Sequence, residues 1–343
     1  MRDRGLDVAD IYRDIYIEAG DKARRLASKY GYLPYMVQRY IYMLGYDGAV
    51  KLLEAFEKPL NPVVRVNTLL IDSEKLKSRL ESLGFRLEEI PWAKDAFRVV
   101  SKPEYPTIGS THEYLKGYYY VHRDASALAP VLLLLQDYKG DVLDACAAPG
   151  GKATFASQLV YPHGIVYAND ISLPRLKSLI GHYARMKLSN NAVTWADARI
   201  LPKVWTRRFS RVILDVPCSS EGTIMNDPSR KTKTALKDVS ILVKREIELL
   251  DAGLEMLSQG GILAYITCSI APEENEYAVS RVLESRDDAD VVEPPFKLFD
   301  WSHGFTSFHK LVFDERVRKC VRIWPHVHGM FGFTFCLLTK TRS

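Results

Sequence analysis

Apolar residues recur at helical spacing from Leu33 to Phe56, with a break at Gly45, and residues 6–58 read as helices. Asn61-Pro62 ends that stretch. The alternation Val63-Val64-Arg65-Val66-Asn67-Thr68 predicts a strand, residues 73–83 a helix stopped by Gly84, and Phe97-Arg98-Val99-Val100 a second strand. From there strand and helix patterns take turns. Short apolar runs at 142–144, 164–168, 192–195, 211–214, 261–267 and 332–338 predict strands, and 151–160, 172–188, 242–257 and 273–286 predict helices. This order implies an α/β fold, a mostly parallel sheet with helices on both faces. Three units are expected: a helical segment over 1–60, a small α+β module over 61–117, and a Rossmann-like domain over 118–343.

Two segments interrupt the rhythm. Residues 219–240 read as a long polar loop carrying Arg230, Lys231, Lys233 and Lys237. Residues 301–310 read as a surface loop with half-buried aromatic rings and two histidines, His303 and His309.

Composition narrows the class. A hydrophobic share of 47% supports a sizeable core. No apolar run approaches the ~20 residues that a membrane-crossing helix needs, and Met1-Arg2-Asp3-Arg4 opens no signal-peptide core. A cytoplasmic, monomeric enzyme is the expectation. The net charge of +5 permits a polyanionic partner without demanding one. Five cysteines with no CxxC pair argue against a disulfide framework and against a metal site. All five are expected as reduced thiols, with Cys320 and Cys336 in the core. Asn and Gln number only 7 and 4, a depletion in the direction of thermophilic proteins.

The chemistry gathers at strand ends. Cys218 follows the apolar run Val212-Ile213-Leu214, and Cys268 follows Ile262-Leu263-Ala264-Tyr265-Ile266. Both thiols therefore belong at the carboxyl edge of the sheet, where α/β proteins bind ligands. Upstream, Asp144-Ala145-Cys146-Ala147-Ala148-Pro149-Gly150-Gly151-Lys152 reads as a cofactor turn at a helix N-terminus. It is not a phosphate loop, because Cys146 and Ala153 occupy the required glycine and hydroxyl positions. Asp170 lies 19 residues past Gly151, the spacing of a ribose-binding carboxylate. Asp197, at the end of the next strand, is placed for an adenine amino group.

Two thiols and a carboxylate suit methylation of a pyrimidine. Carbon 5 of the ring is too weak a nucleophile until a thiolate adds to carbon 6. That needs a cysteine that ionises easily and an acid group at ring nitrogen 3, for which Asp215 is placed. A second thiol helps remove the carbon 5 proton.

On these residues the chain resembles the Sun/Fmu (NOL/NOP/Sun) family of RNA cytosine-5 methyltransferases, in its archaeal type. Asp144–Lys152, Leu214-Asp215-Val216-Pro217-Cys218-Ser219, Tyr265-Ile266-Thr267-Cys268-Ser269 and Pro272-Glu273-Glu274-Asn275-Glu276 carry the likeness, with Arg65-Val66-Asn67-Thr68 and Gly117-Tyr118-Tyr119-Tyr120 upstream. The resemblance implies S-adenosyl-L-methionine as cofactor and RNA as substrate, transfer RNA first and ribosomal RNA second. It implies Cys268 as nucleophile, Cys218 as the releasing residue, and Asp215 and Lys152 beside the reacting centre. Cys146, Ala147, Ala148, Pro149, Gly150, Gly151, Lys152, Asp170, Arg175, Asp197 and Asp215 would hold the cofactor, and the module 61–117 would be an RNA-recognition-like platform. Ser220-Glu221-Gly222 departs from a more glycine-rich family turn. A DNA cytosine-5 methyltransferase is disfavoured by the second cysteine motif. A non-catalytic RNA-binding assembly factor is disfavoured by the intact Cys268, Cys218, Asp215 and Lys152, and a nicotinamide oxidoreductase by the missing glycine fingerprint.

Overall fold

The computed structural model describes residues 7–341, so the reading of Met1–Arg4 lies outside the described residues. The N-terminal pattern forms helices Val8–Ile15, Asp21–Tyr30 and Pro34–Phe56. Asp7 caps the first by accepting from the Ala9 amide. Gly45, at φ 70° and ψ 175°, breaks the third into two, because only glycine holds that backbone without strain.

Strands β1 (Val63–Val66), β2 (Arg86–Glu89), β3 (Ala96–Ser101) and β4 (Tyr119–His122) form an antiparallel sheet in the order β2-β3-β1-β4. Its fourth strand comes from beyond residue 117. Val64, Val66, Phe97 and Val99 pack on Leu76 and Leu80 of helix Ser73–Ser82. Val63, Ala96 and Tyr120 pack the opposite way, into the core of the larger domain. Both faces are thus covered. The open sheet face that an RNA-recognition-like platform uses is not available here.

The larger sheet holds β5 (Val142–Asp144), β6 (Val166–Asp170), β7 (Asn191–Trp195), β8 (Phe209–Asp215), β9 (Leu257–Thr267), β10 (Ala289–Val292), β11 (Ser302–His303), β14 (Val321–Ile323) and β15 (Phe333–Lys340); β12 (Ser307–Phe308) and β13 (Leu311–Val312) make a separate hairpin. The order is β11-β14-β15-β9-β8-β5-β6-β7, with β10 also on β15. Strands β5 to β9 run parallel, and β15 is antiparallel to β9. This is the expected α/β, mostly parallel sheet. Side chains alternate across it: Val212, Leu214, Leu263 and Tyr265 face one core, while Ile213, Ala264 and Ile266 face the other. Strand order reverses between β5 and β8, so a crevice opens at their carboxyl ends.

Two expectations need correction. Cys320 and Cys336 are buried as expected, but they are joined in a disulfide with Cα atoms 4.3 Å apart. The pairing Val321↔Phe335 places them opposite one another on neighbouring strands, a relation set by register that sequence spacing hides. Three free cysteines remain: Cys146, Cys218 and Cys268. Residues 219–240 are also not a free polar loop. Glu221–Met225 are buried, short helical turns form at Glu221–Thr223 and Arg230–Lys233, and a long helix already starts at Leu236. Arg230 pairs with Asp227 and Lys231 with Glu57, so half of the expected basic side chains are engaged within the chain. Loop 301–310 does carry partly buried rings. Phe305 packs on Arg322, and His309 stacks on Tyr42 at 4.7 Å. Among the described residues no helix is long and apolar enough to cross a membrane.

Candidate active site

The crevice is built from the ends of β5, β6, β8 and β9. After β5 the chain turns through Pro149-Gly150 and enters helix Gly151–Val160. Gly150 has φ 116°, and a Cβ there would also meet Leu179 Cδ1 at 2.8 Å. The turn is held from the next strand: Asp170 accepts from the Ala148 amide at 3.1 Å and the Ser172 amide at 2.8 Å. Arg175 approaches Asp170 at 3.4 Å and donates to the Ala148 carbonyl. Ala147, Ala148 and Gly150 are buried within this turn. Cys146 sits beside them, its thiol pushed well up by burial and by Asp144.

Asp144, the last residue of β5, is fully buried, and neither carboxylate oxygen accepts a well-formed hydrogen bond. Burial raises its pKa to about 8, with Asp215 adding and Lys152 opposing. Sequence reading quoted Asp144 but gave it no role; its place at the end of the first parallel strand was the available signal. Asp197 caps a short turn and binds the Arg199 guanidinium through both oxygens, which pulls its pKa below the usual carboxylate range. Near these strand ends Ile171 and Trp195 are 61% and 64% exposed, apolar surface that sequence reading missed.

Lys152, in the first turn of its helix, donates to Asp215 at 2.7 Å, which stands at the end of β8. Burial lowers the ammonium's pKa, but Asp215 outweighs it and holds it above its ordinary value. The ammonium also lies 5.3 Å from the Phe333 ring centroid. The two thiols meet beside this ion pair: Cys218 Sγ and Cys268 Sγ are 3.3 Å apart. Their electrostatics differ. The hydrogen bond from Cys218 lowers the pKa of Cys268 most, aided by Ser220 and Lys152 against burial and Asp215. Cys218 is pushed well up by the same bond and by burial. The pair therefore favours a Cys268 thiolate that receives a hydrogen bond from a Cys218 thiol.

Ser220 completes this arrangement. It is a non-glycine residue at φ 59°, and its Oγ lies 3.3 Å from Cys268 Sγ. The family departure at Ser220-Glu221-Gly222 thus puts a strained serine against the thiol. The Gly222 amide donates to the Cys268 carbonyl at 3.0 Å, and the Gly332 amide to the Gly222 carbonyl at 2.9 Å. Cys268, Cys218, Asp215, Lys152 and the turn 146–152 are brought together; Asp170 and Arg175 hold that turn, and Asp197 is bonded to Arg199. A cavity of about 690 Å³ lined by Trp92, Tyr138 and His163 lies elsewhere, beside segments that lead into β5 and β6 rather than out of them.

A family model for the 16S rRNA methyltransferase RsmB/F matches residues 131–339, and one for the N-terminal domain of 16S rRNA methyltransferase RsmF matches 33–122. A 28S rRNA (cytosine-C(5))-methyltransferase of Mus musculus is 36% identical over 320 residues, covering 92% of this chain and 40% of that protein. The ribosomal RNA small subunit methyltransferase F of Shewanella sediminis is 32% identical over 83% of this chain and 58% of its own. The chain thus spans about two-fifths to three-fifths of the length of these curated relatives. The solved structure of a methyltransferase homolog protein from Pyrococcus horikoshii superposes with TM-score 0.81 at 30% identity, covering 94% of this chain and 99% of that one. The resemblance read from the cofactor turn and the two cysteine motifs is borne out: this chain belongs to the RsmB/F methyltransferase family.

Proposed function

We propose that the protein methylates carbon 5 of cytosine in RNA, using S-adenosyl-L-methionine. The observation that carries this reading is the 3.3 Å contact between Cys218 and Cys268 beside the Lys152–Asp215 pair. The cofactor suits the residues present. Asp144 is a buried carboxyl lacking a partner, which a ligand ammonium would satisfy, and Asp170 ends the strand where ribose hydroxyls are bound in such folds. The turn 146–152 and Arg175 would frame it, Ile171 would offer an apolar face, and Asp197 would join only by sharing its Arg199 contact. When bound, the cofactor supplies an electrophilic methyl group.

The chain's own residues do the rest. The Cys268 thiolate adds to carbon 6 of a base that has left its stack, because attack comes from above the ring plane. Asp215, fixed by Lys152, positions the edge of the ring at nitrogen 3, and the electron pair freed at carbon 5 takes the methyl group. Carbon–sulfur bonding removes the anion that kept Cys218 protonated, so Cys218 releases its proton to solvent and then takes the proton of carbon 5, directly or through water. The carbon 5–hydrogen electron pair restores the double bond, and the bond to Cys268 breaks to return the thiolate.

Methyl transfer from tritiated S-adenosylmethionine to RNA tests the reading. Cys268→Ala should abolish transfer, and Cys218→Ala should leave protein tethered to RNA as a slow band on a denaturing gel. Equal, tether-free inactivity of both variants overturns the role assignment. Transfer RNA was the first expectation because the accessory region is small; the names of the relatives weigh toward ribosomal RNA. Both belong in the assay, with bisulfite sequencing to locate the base. The exposed Lys233 and Lys237, with the edges of the small module, would meet phosphates, so affinity should fall steeply with salt.

A further inference from the structure

Behind the thiols lies a carboxylate that touches both of their loops. Glu274, in the turn Glu273–Tyr277, is fully buried. It accepts from the Ser219 amide at 2.6 Å, from Ser219 Oγ at 2.6 Å, and from Ser269 Oγ. Ser219 follows Cys218, and Ser269 follows Cys268. The turn itself is anchored: Tyr265 Oη donates to the Glu274 carbonyl at 2.6 Å, and Thr267 Oγ1 to Asn275 Oδ1 at 2.7 Å.

Glu246 faces Glu274 from helix Leu236–Met256 and is equally buried. Among the described residues neither Glu246 oxygen has a hydrogen-bonding partner. Two carboxylates cannot both stay ionised in such a site. Glu274 has three donors to support a negative charge and Glu246 has none, so Glu246 is the one that carries a proton.

We propose that Glu274 is the positioning residue that sets the separation of Cys218 and Cys268. This rests on the thiol roles given above. One ionised carboxylate pulls the residue after each cysteine toward the same point, so neither loop moves without the other.

The two carboxyls should respond unequally. In Glu274→Gln the amide NH₂ faces serine donors and the loops part; misplacement of about 1 Å implies a kcat loss of about a hundredfold. KM for RNA should stay within about threefold, because no binding contact is removed. In Glu246→Gln a neutral side chain of the same shape takes the acid's place and no contact to the thiol loops is lost, so kcat should stay within about threefold. A second readout needs no methylation: diamide closes Cys218 and Cys268 into a disulfide, followed by peptide mass mapping. Closure should slow about tenfold in Glu274→Gln and stay unchanged in Glu246→Gln. Should Glu274→Gln fail to fold, Ser269→Ala carries the test, with intermediate slowing expected. Wild-type closure in Glu274→Gln, or in a folded Ser269→Ala when the former is unfolded, overturns the proposal, as do equal losses in the two glutamine variants. The closure asymmetry between the two variants, found with a wild-type protein that methylates no RNA, leaves the role of Glu274 standing and sinks the proposed function instead.

Discussion

Arginine is buried in two different settings in this protein. Behind the thiol loops, Arg39 donates to Glu221 at 2.5 Å and to Glu273 at 3.0 Å, and Arg322 pairs with Glu276. At the seam between the small module and the larger domain, Arg65 is just as buried and has no carboxylate partner among the described residues. It donates to His122 at 3.1 Å, Thr154 at 2.8 Å and Gln158, and lies 4.7 Å from the Phe155 ring centroid. Burial lowers the Arg65 pKa to about 9, while the acids hold Arg39 well above its ordinary value despite burial. The lesson is positional. Full ion pairs fix the loops that must present two sulfurs at contact distance, where removing one partner strands a charge. The seam joins two folded layers through neutral acceptors, where removing the cation strands only dipoles.

The comparison breaks if Arg39→Met and Arg65→Met destabilise equally. Arg39→Met should cost about 3–5 kcal/mol in urea unfolding, because Glu221 and Glu273 are left buried and unpaired. Asp144 sharpens the contrast from the acid side, as a buried carboxyl with no well-formed hydrogen bond. Its folded pKa of about 8 lies above its ordinary value, so the native state holds a proton that the unfolded chain has lost. The Asp144 contribution should therefore be most favourable below about pH 4, fall through the window, and reach its full loss above about pH 8. Asp144→Asn should flatten that slope in melting temperature, recovering roughly 2–4 kcal/mol at pH 7 in protein without cofactor. An unchanged slope would refute the buried-carboxyl account. Arg65→Met should cost less than Arg39→Met, about 1–3 kcal/mol, with His122, Gln158 and Thr154 losing one donor each. Ser220→Gly is the smallest: relief of left-handed strain and added chain entropy nearly cancel, within about 1 kcal/mol. Its signature is chemical. Cys268 loses the Ser220 hydroxyl contact that lowers its pKa, so the pH at which iodoacetamide labels it should move upward.

The strand-end chemistry was legible because it is local. An apolar run followed by a cysteine, and a glycine turn before a helix, announce themselves in a few residues, and the structure brings Cys218, Cys268, Asp215 and Lys152 together as that pattern implied. The disulfide was not legible, because the opposition of Cys320 and Cys336 depends on antiparallel register across 16 residues. Nor were Glu246 and Glu274: their letters look like those of a solvated helix face, and only tertiary packing puts them at 0% exposure. The span 219–240 read as loop because its charges look solvent-facing, although Arg230 and Lys231 find partners inside the chain. Asp197 adds a neighbour that its strand-end position did not announce, the Arg199 guanidinium bound through both of its oxygens.

Gly222 and Gly332 touch backbone to backbone, and a Cβ on Gly222 would lie 1.8 Å from the Gly332 carbonyl oxygen. Even alanine is excluded there without displacing the main chain. The C-terminal hairpin and the turn beneath the sulfurs are in that sense one mechanical part. A chimera that imports either segment from a distant relative must import its counterpart too, and a saturation library should return glycine alone at both addresses.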